Sequence, residues 1–290
     1  MTPNNRKHLQ GKRIKFFTRS FSLELYTYAA KLFETAEIPV VRLTDKTADG
    51  YFYTILKDES CDIAINIDED AFVVSMDAVL DLADYMLQNN YANCGMPDGG
   101  ALPIRGHNPI VTNPFFNILH LEKIREQMHS LKEIKKFDID AVKEEMIERF
   151  PQEIRLSSNY NFDSIDPDPY YPFFLWLAYH FKTLYLPCSQ HTDGSSTILY
   201  TPDNKELCKH SWFSRFYKVN KFHTRRIEQL IDEVYSQRNE KKPEITLAGR
   251  LYIIGDMLIR YIIKVVTRIL GWPRKWKKWY KRYKRKQKQN

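Results

Sequence analysis

The run Ile63 to Ile67 ends abruptly in three acids, Asp68, Glu69 and Asp70. The run is short, β-branched and bounded by polar residues, which is the pattern of a buried strand. Side chains of an extended chain alternate faces, so Asp68 and Asp70 point one way and Glu69 the other. Two carboxylates on one side of a strand end repel each other unless a cation lies between them. Hard divalent cations such as Mg2+ and Mn2+ take oxygen ligands of this kind. The triplet also suits a solvated acidic turn.

The elements around the triplet alternate between strand and helix patterns. Arg13 to Thr18 reads as a first strand and Leu23 to Glu34 as a helix with Ser22 as its cap. Ile38 to Leu43 follows as a strand, Asp49 to Lys57 as a helix, then the acid-terminated strand, then an amphipathic helix from Val79 to Gln88. This rhythm predicts an α/β domain with a largely parallel sheet. Ligands of such sheets bind beyond the carboxyl ends of strands, where Asp68 and Asp70 lie. Residues 91–117 read as loop, 119–150 as a charged helical excursion on the surface, Tyr170 to Phe181 as an aromatic helix and Thr183 to Leu186 as a strand. A polar helix over 224–240 precedes a linker at Lys241-Lys242-Pro243.

At 290 residues with 28% charged residues the chain suits a globular protein rather than a disordered one. Cys61, Cys94, Cys188 and Cys208 show no Cys-x-x-Cys spacing, so neither a zinc site nor a disulfide framework is expected, and reduced thiols are. Met1 to Lys15 is basic without an apolar core, unlike a secretory signal. Residues 274–288 hold ten Lys and Arg and no acid. That segment alone exceeds the net charge of +8, so the remainder is slightly acidic and the basic character belongs to the tail.

Four motifs follow one another along the chain: Asp68-Glu69-Asp70; Asp98-Gly99-Gly100; Asp166-Pro167-Asp168-Pro169 before Tyr170 to Phe174; and His210-Ser211-Trp212-Phe213-Ser214-Arg215. Their order resembles that of GT-A type nucleotide-sugar glycosyltransferases, over roughly residues 10–225. The last motif looks like the His-x-Trp-Tyr-x-Arg run of some bacterial members. The resemblance implies an α/β, GT-A-like Rossmann-type sheet flanked by helices, and a Mn2+ or Mg2+ cofactor. It implies a nucleotide-sugar donor and a cell-surface glycan or lipid-linked acceptor. The first strand departs from the family, lacking its apolar run and its small polar turn, and leaves the nucleotide open.

In that resemblance Asp70 is the direct metal ligand, and Asp68 binds the ribose or reaches the metal through water, with Glu69 beside them. A late histidine completes the coordination, either His210 or His191, with His210 preferred for its Trp/Arg-containing run. Asp166 or Asp168 serves an inverting enzyme as general base; an Asp before a helix is also a usual cap. Asp98, Gly99 and Gly100 bring a carboxylate and bare backbone near a sugar, or form a tight turn. Arg105 and His107 hold a phosphate or acceptor hydroxyls, or sit on the surface. The runner-up enzyme is a metal-dependent phosphoryl or nucleotidyl transferase using the same acids; a non-catalytic membrane- or nucleic-acid-binding protein is the reading from another class.

Leu251 to Leu270 is apolar but carries Asp256, Arg260, Lys264 and Arg268, which form one polar stripe on a helix. Beyond Gly271, Trp272, Trp276, Trp279 and Tyr283 recur among lysines. A spanning helix would place four charges in hydrocarbon, whereas a helix lying in the interface avoids that cost. The expected organisation is therefore a catalytic domain over 1–240 and a C-terminal amphipathic helical extension over 241–290. That extension associates with an anionic membrane surface, as a peripheral protein on the cytoplasmic face of the cell membrane. Aromatics among lysines also suit nucleic acid, the less favoured partner.

Overall fold

A computed structural model describes residues 6–35, 37–44, 46–101, 107–151, 154, 160–163, 168–259, 261–262 and 265–266. The chain divides into two units, residues 1–21 with 25–243, and residues 22–24 with 244–290.

The first unit is built on a six-stranded sheet of order β2-β1-β3-β6-β5-β7. Its strands are β1 (Ile14–Arg19), β2 (Val40–Leu43), β3 (Ile63–Ile67), β5 (Asn93–Gly95), β6 (Phe116–His120) and β7 (Thr183–Tyr185). β1 is parallel to β2 and β3, and β5 to β7. β6 runs antiparallel to both its neighbours. The fold is thus α/β with a mostly parallel sheet, as the strand–helix rhythm predicts. Adjacent residues serve opposite faces. Phe16, Ile65 and Ile118 join one buried core, while Phe17, Ala64 and Leu119 join the other. Helix α3 (Met76–Gln88) contributes Val79, Leu82 and Met86 to the first core. Helices α2 (Ala48–Leu56) and α7 (Tyr171–His180) contribute Phe52, Phe173 and Trp176 to the second. Thr47 and Ser75 cap α2 and α3 by accepting from Gly50 N and Ala78 N, each at 3.2 Å.

Two expectations need correction. The loop expected over 91–117 contains β5 and the start of β6. The charged stretch 119–150 is not a surface excursion: its helices α4 (Leu121–Gln127), α5 (Leu131–Lys135) and α6 (Lys143–Arg149) bury Leu121, Ile124, Ile134 and Met146 in the second core. The charges face solvent and one apolar side chain per turn faces inward.

A second sheet has the order β4-β10-β9-β8, with β4 (Ala71–Val73), β8 (Cys188–Gln190), β9 (Thr197–Tyr200) and β10 (Glu206–His210). Helix α8 (Lys221–Gln237), capped by Asn220, packs Ile227, Leu230, Ile231 and Val234 into the first core. All four cysteines are free.

In the second unit residues 247–259 are helical, as are 261–262 and 265–266. Leu247, Leu251, Ile254, Leu258 and Ile262 recur at helical spacing and are all exposed. Among the described residues no helix is long and apolar enough to cross a membrane. Arg260, Lys264, Arg268, Trp272, Trp276, Trp279 and Tyr283 lie outside the described residues.

Candidate functional site

The acid triplet lies between the two sheets. β3 ends at Ile67 in the first sheet, and the chain enters β4 of the second at Ala71. β4 pairs antiparallel with β10 in a register that sets Ala71 opposite His210, and Ser211 N donates to the Asp70 carbonyl at 2.9 Å. Strand register therefore carries a histidine from late in the chain to the second of the two acids. His210 Nε2 lies 3.3 Å from Asp70 Oδ1. Its ring is fixed by packing, stacked on Phe115 at 4.1 Å and tilted against Trp212 at 4.3 Å.

These groups line a cavity of about 380 Å³, shared with Arg19, Phe21, Asp168, Tyr170, Ser214 and Arg215. Arg19 ends β1 as Asp68 follows β3, and its guanidinium reaches Asp68 at 3.5 Å. Burial pushes the Asp68 carboxyl up to about 7 against the pull of Arg19, with neighbouring Asp70 adding to the rise. Burial acts to raise Asp70 too, but His210, the Ser214 hydroxyl and Arg19 outweigh it and hold Asp70 below the usual carboxylate value. Two like charges this close divide their proton affinities in this way.

Glu69 also lines the cavity, but its carboxylate accepts from the Ser20 hydroxyl at 2.8 Å and Phe21 N at 2.9 Å. It fastens the end of β1 to the acid turn. Asp168 lines the cavity, with the Tyr170 hydroxyl 3.4 Å from its Oδ2. Asp166 and Arg105 lie outside the described residues.

The other candidates fall elsewhere. His191 does not line the cavity. Its Nε2 meets Glu233 at 3.0 Å, and its Nδ1 accepts from Asp193 N at 3.2 Å. Asp98 is fully buried and already saturated. It accepts from Asn113 Nδ2 at 2.6 Å and Gly99 N at 3.0 Å, and from the hydroxyls of Tyr171 at 2.8 Å and Tyr170 at 3.1 Å. Gly99 and Gly100 make the tight turn beneath it, both with positive φ, and a Cβ on Gly100 would lie 2.6 Å from the Met96 side chain. His107 is half-buried outside the cavity, and its carbonyl accepts from Asn161 N.

Sequence reasoning passed over Arg19, Phe21, Ser214 and Arg215 as cavity residues. A signal for Arg19 exists: like Asp68 it lies at the carboxyl end of a strand, the neighbouring parallel one. The Trp/Arg-containing run marks the turn after His210 but not its conformation: Trp212 and Phe213 both adopt left-handed backbone with φ of 54° and 57°. Bulky residues rarely take that conformation, which clusters where surroundings over-determine it, often at binding sites.

Among the described residues no three His, Cys, Asp or Glu side chains converge as a metal site. Asp70 and His210 nevertheless suit a cation that completes its shell with phosphate and water, as Mg2+ commonly does with one or two carboxylates. Their 3.3 Å separation is near the ~3.0 Å edge of an octahedron with ligands at about 2.1 Å.

No protein-family model matches the chain, and no curated protein is similar to it in sequence. Among solved structures it is similar to A197 from STIV, at 13% identity over 67% of this chain and 93% of that one, with a TM-score of 0.32. It is also similar to the mannosyltransferase PcManGT from Pyrobaculum calidifontis, in complex with GDP-Man and Mn2+. That match has 8% identity over 61% of this chain and 55% of that one, with a TM-score of 0.34. At these values neither likeness bears on what this chain does.

Proposed function

We propose that the cavity binds a nucleotide-sugar donor together with Mn2+ or Mg2+, and that the protein transfers the sugar to a cell-surface glycan or lipid-linked acceptor. The observation that carries this reading is the mixture of charge in one cavity: Asp68 and Asp70 with His210, facing Arg19 and Arg215. A bare anion there meets two carboxylates, and a bare cation meets two guanidiniums. A diphosphate bearing a divalent cation finds a complementary group for each charge. The order of the four sequence motifs is a second support.

In this reading Asp70 and His210 hold the cation, which when bound supplies Lewis-acid stabilisation to the departing diphosphate. Asp68 takes the ribose or a metal-bound water. Arg19 and Arg215 orient phosphate oxygens. Asp168 accepts the proton of the attacking hydroxyl. Asp166 is the alternative base.

The second unit is proposed as a peripheral membrane anchor at the cytoplasmic face. Its support is the row of exposed apolar residues from Leu247 to Ile262, followed in sequence by Trp272, Trp276, Trp279 and the basic tail. Pelleting with anionic liposomes tests this: deletion of 272–288 should markedly weaken it, and unchanged pelleting overturns it.

The test of the transferase reading is thermal shift with a panel of nucleoside diphosphates, each with and without Mn2+. Metal-dependent stabilisation by one nucleotide is expected, since a ligand of the folded state raises its apparent stability. No shift with any nucleotide in a folded sample overturns the reading.

A further inference from the structure

The segment that follows the cavity carries a surface the transferase chemistry does not use. Residues 213–227 contain five Lys and Arg and no acid. Within them Phe216, Val219 and Phe222 are exposed, Val219 at 78% and Phe222 at 64%. Lys218, Lys221 and Arg225 are exposed beside them in the chain. Large apolar side chains ringed by cations and held out to water mark an interaction site.

The ridge is rigid rather than a loose loop. Val219 N and Asn220 N both donate to the Phe216 carbonyl, at 3.0 and 2.9 Å. Lys218 N donates to Thr224 Oγ1 at 2.8 Å, and the Asn220 side chain caps α8 through His223 N at 3.1 Å. The His223 ring is the keystone, packed against Phe213 at 5.0 Å, Phe216 at 5.4 Å and Phe222 at 5.2 Å. Burial and the nearby Arg226 lower its pKa, so the keystone stays uncharged near neutral pH. The fold thus spends ordered backbone on pointing apolar side chains outward. Phe213, Ser214 and Arg215 also line the cavity, so ridge and cavity share a rim.

We propose that the Phe216–Val219–Phe222 ridge is a membrane-docking surface that beds into an anionic bilayer and sets the cavity mouth at headgroup level. Charge decides the occupant. One acid, Glu228, lies beside the ridge and meets Lys218 at 3.3 Å; Lys221 and Arg225 leave the excess charge positive, which suits a continuous anionic surface rather than the mixed charges of a protein partner. Each Lys or Arg near such a surface contributes about 1 kcal/mol, and the buried tips add the apolar contribution. The ridge belongs to the first unit, so this contact is separate from the one proposed for the tail. It stands whether or not the cavity takes a nucleotide. Docked this way, the cavity opens toward acceptors carried by the bilayer.

The test uses the full-length protein. Val219→Cys carries an environment-sensitive fluorophore. Glu59→Cys, in the exposed turn before β3 at the other end of the sheet, carries the same label as control, and labelled wild type gives the background from Cys188. Vesicles contain phosphatidylglycerol and phosphatidylcholine in equal amounts, with or without a nitroxide-bearing lipid. A blue shift and at least about twofold quenching at 219, with neither at 59, is expected. Phe216→Ser/Phe222→Ser, checked for an unchanged melting temperature, should weaken partitioning at least about fivefold. An unchanged signal at 219 on vesicle-bound protein would show that only the tail docks, and overturns the proposal. A blue shift at 219 without vesicles also overturns it, because a second copy or another segment of the chain then covers the ridge. Failure to bind vesicles at all does the same, while leaving the nucleotide result untouched.

Discussion

Arg226 donates through Nη2 to the Trp212 carbonyl at 3.1 Å, from a helix that does not itself reach the cavity. Its Nη1 bonds Ser196 Oγ at 2.6 Å and Asp193 Oδ2 at 3.2 Å, and the residue is almost fully buried. One guanidinium therefore ties α8 and the turn before β9 to the left-handed Trp212–Phe213 turn. Arg226→Gln leaves the partly exposed Asp193 without its cation and the turn without its brace. A loss of about 2 kcal/mol is expected, in the range for hydrogen bonds of a charged group, read as a lowered urea midpoint. In the transferase reading nucleotide affinity should fall as well, because Ser214 and Arg215 follow that turn.

Asp193 sets an acid limit on stability. Burial acts to raise its carboxyl, but the Ser196 hydroxyl, the N–H groups of Ser196 and Ser195, and Arg226 outweigh it and hold it at about 2. Its ordinary value is near 3.9. A carboxyl depressed in the folded state contributes stability above its unfolded pKa and loses it as pH falls through the folded one. The window is thus from about pH 4 down to about 2. Asp193→Asn should cost about 2 kcal/mol at pH 7 and flatten that limb in denaturant titrations. An unaltered limb would show that other carboxylates control it.

Asp70→Asn keeps the size of the side chain and removes its charge. In the transferase reading the metal-dependent thermal shift with nucleotide disappears, while the unliganded protein melts within a few degrees of wild type. His210→Gln should do the same, less completely. His191→Gln should leave the nucleotide shift intact, since His191 faces Glu233 and not the cavity.

Asp98→Asn gives the opposite signature. An amide has one acceptor oxygen, so its NH2 must face donors that now bond a carboxylate. A loss of about 3 kcal/mol in unfolding free energy is expected. A variant that bound nucleotide poorly at full stability would instead place Asp98 at the ligand.

The contrast between Asp70 and Asp98 shows what the sequence made legible. Both read as acids at turns. The strand before Asp68 was plain, because Ile63 to Ile67 is apolar but for Asn66, and the carboxyl-end rule then located the cavity. Asp98 looked equally able to bind. Its partners, Tyr170 and Tyr171, come from a helix far along the chain, and only tertiary structure reveals that its lone pairs are spent. β6 was invisible for a similar reason. Asn117 sits in mid-strand, and its polarity is satisfied by Thr112 of the preceding segment at 3.0 Å and across the sheet by Asn66 at 3.3 Å. The second sheet was missed because its strands are short and β10 carries charge. Lys209 of β10 is buried only because Glu233 reaches it at 2.5 Å. The choice of His210 over His191 rested on a motif, whereas the cause of its position is the β4–β10 register.

That register also fixes when the site can exist. The acids are translated early and their histidine late, and β4 has no partner in its sheet until β10 has left the ribosome. Pairings distant in sequence form slowly, after local structure. A nascent or prematurely terminated chain lacking residues 206–210 holds Asp68 and Asp70 on an open strand end, with no imidazole and no far wall. The cavity is thereby assembled only on completion of the first unit.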